Sequence, residues 1–114
     1  MTPEDFARIA LSFPACEAGT SYGVPSFKVR GKFFTRIRAE DDSAVIQEVP
    51  FDERDLLIEA EPETFHFTDH YRNYPIVLAR LSSLDPDQLR ALLERRWRKM
   101  VTKAMIRDYE AART

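Results

Sequence analysis

Five cations stand close together between Lys28 and Arg38, and no acid interrupts them. Because successive residues of a β-strand point to opposite faces, cations at alternate positions gather on one face. Lysine and arginine at that density on an exposed ribbon can neutralise the phosphate groups of a nucleic acid. The candidate surface combines these cations with one phenylalanine that the alternation places among them, and its members are Lys28, Arg30, Lys32, Phe34, Arg36 and Arg38.

Two interpretations of this surface differ in whether the side chain of Phe34 is exposed. An exposed phenylalanine can stack on a base or enter a base step, as aromatic side chains do in nucleic-acid interfaces. The alternative is a solvated sheet face on which Phe34 is covered by a helix or by a partner protein. Nothing in the stretch predicts contacts that distinguish one base from another.

A second group of cations lies between Arg90 and Arg107, where Glu94 is the only acid. Acids dominate from Glu40 to Asp69, where Arg54 is the only cation. We expect the second group to pair mainly with these acids inside the chain. Three of its members are additional binding candidates, namely Arg98, Lys99 and Lys103, and the others are Arg95, Arg96 and Arg107.

Residues suited to other chemistry are few. His66 and His70 lie four positions apart, which suits a metal only on a helix, and the neighbouring prolines and phenylalanines disfavour a helix there. The loop residues His70, Tyr71 and Arg72 are additional candidates for polar binding, because loops often carry function. Cys16 has no base that the sequence identifies, and a small buried thiol is its expected role. We therefore expect no enzyme, no metal and no cofactor.

A β-hairpin must position the basic stretch. Apolar residues alternate with the cations on both sides of Gly31, whose backbone freedom suits a tight reversal. An edge strand near residues 17–21 precedes the hairpin and a strand over residues 44–49 follows it, which gives a meander of three or four strands. The apolar face that we expect to pack on the core consists of Phe27, Val29, Phe33, Thr35 and Ile37.

Helices are predicted at both ends of the chain. Thr2 followed by proline is an N-cap pattern, and Pro14 ends the helix that it begins. Asp85 followed by proline, with Gln88 at the capping-box position, begins a long C-terminal helix of four to five turns. The apolar stripe of this helix comprises Leu89, Leu92, Leu93, Trp97, Met100, Val101 and Ala104.

The middle of the chain is predicted to contain a short helix and two strands. Asp52 is the expected N-cap of the helix, which contains Leu56 and Leu57. The strands cover residues 65–67 and 74–81, and a loop over residues 68–73 connects them. Pro75 must lie at the start of its strand or on an edge, because proline cannot donate to the ladder.

Length and composition are those of one globular domain over residues 1–114. Hydrophobic residues make up 44% of the chain and eight residues are phenylalanine, which argues against disorder. No apolar run is long enough for a transmembrane helix, so we expect no membrane partner. The single cysteine and the acidic start of the chain favour a cytoplasmic location.

The order of elements and several short motifs resemble the MmcQ/YjbR family over nearly the whole chain. The motifs are Tyr22-Gly23-Val24-Pro25-Ser26-Phe27, then Val29-Arg30-Gly31-Lys32-Phe33-Phe34, then Glu61-Pro62, Tyr71 and the basic segment that follows Trp97. Two segments depart from the family pattern. Val45-Ile46-Gln47-Glu48-Val49 lacks the lysine that is usual in the family, and Tyr74-Pro75-Ile76-Val77 lacks the usual Trp-Val start.

The resemblance implies an α+β fold with two layers. An antiparallel sheet is expected to be backed by an N-terminal helix, a short middle helix and a long C-terminal helix. The resemblance also implies a DNA-binding protein of the double-wing type. We therefore expect non-enzymatic binding of duplex DNA by the basic hairpin face, with weak sequence preference. The alternative is a module that binds a protein or a small ligand through the sheet face, without catalytic activity.

Overall fold

The computed structural model describes residues 1–113 as two antiparallel sheets with four α-helices. The α+β class expected from the sequence is confirmed. A 3₁₀ turn over Asp69–Tyr71 lies within the predicted loop. In chain order the elements are α1 (Pro3–Leu11), β1 (Cys16–Ser21), β2 (Val24–Val29), β3 (Lys32–Thr35), β4 (Ile37–Arg38), β5 (Ser43–Gln47), α2 (Phe51–Ala60), β6 (Phe65–His66), β7 (Ile76–Arg80), α3 (Pro86–Arg98) and α4 (Lys103–Arg113).

The hairpin strand that follows Gly31 is divided between the two sheets. The first sheet has the order β1-β2-β3 and the second has the order β4-β5-β7-β6. The chain changes sheets at Arg36, whose carbonyl accepts a hydrogen bond from the amide of Val45 at 2.9 Å. The meander expected from the sequence is therefore split at this residue, and a gap opens between the sheets.

A two-residue turn connects β2 with β3. Its residues, Arg30 and Gly31, have positive φ angles of 53° and 81°. Positive φ at both central residues is what a type I′ hairpin turn requires. The predicted role of Gly31 in the reversal is confirmed.

The turn also fixes which residues share a face. Val29 pairs with Lys32 across it, and the next pair is Lys28 with Phe33. Because paired residues lie on the same face and alternate along each strand, Phe33 joins Lys28 on the outer face. Phe34 therefore points to the same side as Val29, into the core.

The prediction that Phe34 lies on the basic face is wrong. Its side chain is 0% exposed, and its ring lies 5.7 Å from that of Phe13 in an edge-to-face contact. The assignment of Phe33 to the core face is wrong for the same reason, since Phe33 is only partly buried on the outer side. A shift in the ladder next to Phe27 also brings Thr35 into the interior.

The main core lies between the helices and the inner side of the sheets. Trp97 is fully buried, as predicted, and its indole Nε1 donates to the carbonyl of Pro14 at 2.8 Å. The ring of Tyr109, on α4, lies 4.7 Å from that of Trp97. A smaller cluster on the outer side contains Val45, Ile76 and Leu78.

The expected helix starts are present. Thr2 forms a reciprocal capping box with Asp5 at the start of α1. Asp85 caps α3 by accepting from the amide of Gln88 at 3.1 Å. The side chain of Gln88 bonds to Glu61 at 2.9 Å, so it does not return to the backbone of Asp85 as a full capping box would.

The prediction of one long C-terminal helix is wrong. α3 ends at Arg98, and α4 begins at Lys103. Thr102 begins the second helix by accepting a hydrogen bond from the amide of Met105 at 3.1 Å. A threonine that caps a new helix competes with continuation of the old one, and the preceding β-branched Val101 adds to that preference.

The middle segment differs from its prediction mainly at α2. This helix begins at Phe51 after Pro50, so Asp52 lies in its first turn and does not cap it. Leu56 is 65% exposed, and the one buried residue of the helix is Arg54. The predicted strands are found, and Pro75 directly precedes β7. Within residues 1–113, no helix has the length and apolarity needed to cross a bilayer.

Candidate nucleic-acid interface

The structure distributes the predicted hairpin cations over three places. Lys28 lies on the outer side of β2 and extends over Gly19 of the edge strand β1. Arg30 lies in the β2–β3 turn, and Lys32 directly follows it. The remaining two, Arg36 and Arg38, lie where the chain passes between the sheets. The single continuous basic face expected from the sequence is therefore not formed.

A basic cleft lies between the β2–β3 turn and the end of α3. Its cavity has a volume of about 390 Å³, and Met100 contributes to its wall. The guanidinium of Arg30 donates to the carbonyl of Met100 at 3.3 Å, which connects the turn to the chain after α3. The basic cleft is defined by four cations, two from each side, which are Arg30, Lys32, Arg96 and Lys99.

One carboxylate belongs to the basic cleft. Glu48, which follows β5, lies 3.0 Å from Arg96 and 3.3 Å from Lys99. Its φ of 66° is unusual for a residue other than glycine. Arg96 also donates to the carbonyl of Phe33 at 2.8 Å. Four cations against one carboxylate leave the basic cleft positively charged, although the whole chain carries −2.

Accessibility differs among the four cations. Lys32 and Lys99 are exposed, whereas Arg96 is partly buried by its two bonds. In the described part of the chain, Lys32 has no hydrogen-bond or ion-pair partner. The two lysines are therefore the members most open to an anion from solvent.

Two further cations near the end of α3, Arg95 and Arg98, are neutralised. Arg95 makes two bonds to Glu53, at 2.8 and 2.6 Å, and this pairing raises the pKa of Arg95. Arg98 lies 3.1 Å from Glu94 and 2.6 Å from Glu110. The expected pairing of the second cation group with the acids between Glu40 and Asp69 is confirmed for three residues. Arg95 pairs with Glu53, and Arg96 and Lys99 pair with Glu48.

Two cations of α4 behave differently from Arg95 and Arg98, although a third, Arg113, pairs with Glu94 at 2.8 Å. Over residues 1–113, Lys103 and Arg107 are exposed and have no acidic partner. Both lie beyond the basic cleft, on a helix that the sequence did not separate from α3. Lys103 remains an additional candidate rather than a member of the basic cleft.

The predicted loop candidates meet the hairpin at the change of sheet. Arg36 donates to the hydroxyl of Tyr71 at 3.4 Å. The guanidinium of Arg38 lies 5.9 Å from the ring centre of Tyr71 and 3.2 Å from the carboxylate of Glu40. His70 contacts the ring of Tyr71 edge-on at 4.8 Å. The structure thus brings His70 and Tyr71 together with two hairpin arginines.

Arg72, the third loop candidate, is not part of that group. Its guanidinium pairs with Asp69 at 2.6 Å, and both side chains are largely exposed. It also lies 5.5 Å from the ring centre of Phe67. Exposed pairs of this kind contribute little to stability.

Arg54 is the residue that the sequence analysis missed. It is 4% exposed, and its guanidinium donates to four backbone carbonyls of residues 71–76 at 3.0 to 3.2 Å. The ring of Phe67 lies 3.9 Å from it. Arg54 therefore holds the loop that carries His70 and Tyr71 in place. The signal that identifies it is its position as the only cation in a long acidic segment.

His66 has neighbours that resemble a hydrolytic triad, but the geometry does not support one. Ser43 Oγ and Asp41 Oδ2 both approach the same ring nitrogen, Nε2, at 2.9 and 3.6 Å. A triad needs the acid on the other nitrogen of the ring. Ser43 is also fully buried, and burial lowers the pKa of His66. This group is a structural hydrogen-bond network.

Two further observations concern the thiol of Cys16 and the grouping of possible metal ligands among the described residues. Burial, with the adjacent Glu17 adding to it, raises the pKa of Cys16 to about 11, so the residue is a thiol. Over residues 1–113, no three His, Cys, Asp or Glu side chains are grouped so that they could hold a metal ion.

Comparison with known proteins gives a family match. The YjbR family model matches residues 11–99, which is more than half of the chain and includes all of the basic cleft. No significant match was found among curated proteins, and none was found among solved structures. The match ends at the last cation of the basic cleft, before α4.

Proposed function

The chain belongs to the YjbR family, and from this premise we propose that it binds the phosphate backbone of DNA through the basic cleft, without catalysis. One observation carries the proposal. Two segments far apart in the sequence, the β2–β3 turn and the end of α3, place four cations around one cavity, and a single carboxylate, that of Glu48, pairs with two of them.

The chemistry of the basic cleft suits phosphate groups. Arginine and lysine neutralise phosphates and release counterions, and this term does not depend on base sequence. The small number of cations gives weak binding, roughly 10⁻⁴ to 10⁻⁶ M at physiological salt. No feature of the basic cleft directs its cations to base edges rather than to phosphates, so the expected sequence preference is weak.

The absence of catalysis is part of the proposal. The thiol of Cys16 is protonated, and Ser43 is buried against His66, so neither is an activated nucleophile. The proposal also places the protein in the cytoplasm, on the ground that a chain with a single cysteine suits a reducing compartment.

A salt titration of duplex DNA binding tests the proposal. The variant Lys32→Ala/Lys99→Ala removes two of the three exposed cations of the basic cleft, Arg30 being the third. The slope of log affinity against log salt should become shallower by about 1.8, because each phosphate contact contributes about 0.9.

The matched control removes two exposed cations elsewhere. Arg8→Ala/Arg107→Ala changes the net charge by the same amount on α1 and α4. Its slope should equal that of the wild type. Equal slopes for both double variants, or no binding by the wild type at low salt, would refute phosphate binding by the basic cleft.

A second candidate function rests on the gap between the two sheets. The gap forms a cavity of about 690 Å³, within the range of small-molecule sites, and its lining is mostly apolar but includes the charged residues Arg36, Glu40 and Asp42. Such a site suits a small, uncharged apolar ligand. Nile red, an uncharged apolar dye, should bind the wild type, and Ala18→Phe, which fills the cavity from β1, should abolish that binding. Unchanged binding by this variant would exclude the gap as the site.

A further inference from the structure

An aromatic pocket opens on the outer side of the sheets, next to the basic cleft. Its volume is about 340 Å³, which is at the lower end for a small-molecule site. Residues from the β1–β2 turn, β3, β5, the 68–75 loop and β7 surround it. The aromatic pocket is defined by Tyr22, Phe33, Arg36, Val45, Tyr71 and Ile76.

The floor of the aromatic pocket is fixed by packing. Val45 and Ile76 are buried neighbours in the second sheet, and Phe33 and Tyr71 pack against them while remaining partly exposed. The buried guanidinium of Arg54 donates a hydrogen bond to the carbonyl of Tyr71 at 3.1 Å. A ligand therefore meets rings whose positions are set before it binds, which reduces the cost of ordering them.

Tyr22 is the least expected member of the aromatic pocket. It lies in a two-residue turn with Gly23, at a φ of 50°, where an aromatic residue is strained. Its side chain is fully exposed, so the ring contributes no burial to the fold. A large ring held at a strained turn and facing a pocket suits contact with a ligand better than it suits stability.

The charge of the aromatic pocket points to a planar anion. Among the described residues that line it there is no Asp or Glu, and Arg36 provides a cation at its wall. A second guanidinium, that of Arg38, lies 5.9 Å from the centre of the Tyr71 ring and is paired with Glu40. Rings combined with arginine bind nucleobases by stacking and their phosphates by charge.

We propose that the aromatic pocket receives one unpaired base of a nucleic acid strand whose backbone occupies the basic cleft. This inference rests on the proposed function and extends it, since it makes single-stranded DNA the preferred form. Strand β3 connects the two places, because Lys32 lies in the basic cleft and Arg36 lies in the aromatic pocket. Four residues of strand separate them by roughly 13 Å, a distance that a few nucleotides span.

The experiment compares a single-stranded oligonucleotide containing 2-aminopurine with the duplex of the same sequence. The wild type should bind the single strand more tightly and should change its 2-aminopurine fluorescence. Tyr22→Asn removes the ring but suits the positive φ of the turn. It should weaken single-strand binding by about 5- to 100-fold, the range for loss of one stacked base, without changing the salt slope.

The matched control is Tyr74→Asn, because Tyr74 is an exposed tyrosine of the 68–75 loop that does not line the aromatic pocket. It should bind as the wild type does. Equal affinity for single strand and duplex, with no effect of Tyr22→Asn, would overturn the base site and leave the basic cleft standing. If no oligonucleotide binds, the proposed function fails. A 2-aminopurine dinucleotide then tests the aromatic pocket alone, and its failure to bind would overturn the inference.

Discussion

Phe33 and Phe34, adjacent residues of β3, lie on opposite faces of the sheet. Phe34 is fully buried against Phe13 and belongs to the main core. Phe33 lies on the outer side, partly exposed, in the wall of the aromatic pocket. The same residue type, one position apart, contributes to stability on one face and to a candidate site on the other. The pairing register that the two-residue turn imposes, and not the composition of the strand, decides which face each ring occupies.

The two faces are also held together by different interactions. The inner face is a continuous apolar core in which the one polar group of Trp97 is satisfied by the carbonyl of Pro14. The outer face depends on arginines: Arg54 fixes the loop by four backbone bonds, and Arg36 contacts Tyr71 from the hairpin. Burial stabilises the first face, and directed hydrogen bonds organise the second.

The largest effect should separate the two phenylalanines. Phe34→Ala should lower the free energy of unfolding by about 3–5 kcal/mol, because it leaves a cavity in a closed core. Phe33→Ala should cost less than half as much, since its ring is partly exposed. Urea unfolding of both variants measures the difference. Similar losses for the two would mean that the faces are not distinct in their contribution to stability.

The next effect concerns the arginine that organises the outer face. Arg54→Met should lower the free energy of unfolding by about 2–3 kcal/mol, because buried carbonyls lose bonds to a charged donor. Amide chemical shifts of residues 68–76 should change while those of α1 do not. Arg72→Met, on the surface, should change stability by less than about 0.5 kcal/mol. A loop that keeps its shifts without Arg54 would show that packing alone positions Tyr71.

Local patterns in the sequence predicted most of the elements. Capping residues located the starts of α1 and α3, and Gly31 located the hairpin turn, because these signals depend on neighbours in the chain. The faces of Phe33 and Phe34 were assigned wrongly, because the alternation was carried across the turn without allowing for its length. A two-residue turn makes Val29 and Lys32 partners, and this pairing alone puts Phe34 in the core.

The candidate site was less predictable than the fold. Arg96 and Lys99 join Arg30 and Lys32 only through tertiary packing, which no local pattern contains. The break before α4 was not predicted, because the apolar stripe continues past Thr102, which is the N-cap of the new helix. The family match supports the fold expected from the resemblance and leaves DNA binding as a prediction.

A smaller effect should follow from disturbing the turn that sets the two faces. Gly31→Val should lower the free energy of unfolding by about 1–2 kcal/mol, because a β-branched residue resists positive φ. Gly19→Val is the control, since that glycine lies in β1 without positive φ and an added Cβ meets only the stem of Lys28. Thermal unfolding compares them. Equal stability of Gly31→Val and wild type would mean that the turn adopts a different conformation.

The smallest effect on stability should come with a gain in binding. Glu48→Gln removes the one carboxylate of the basic cleft while an amide oxygen can still accept from Arg96. Because the Glu48 side chain is about a quarter exposed, stability should change by less than about 1 kcal/mol. Binding to DNA should strengthen, because Lys99 no longer has to leave a carboxylate in order to contact a phosphate, while the salt slope should keep its wild-type value. Glu59→Gln makes the same change of charge on the exposed side of α2 and should alter neither quantity. If the two variants bind alike, net charge governs binding and the basic cleft has no special part in it.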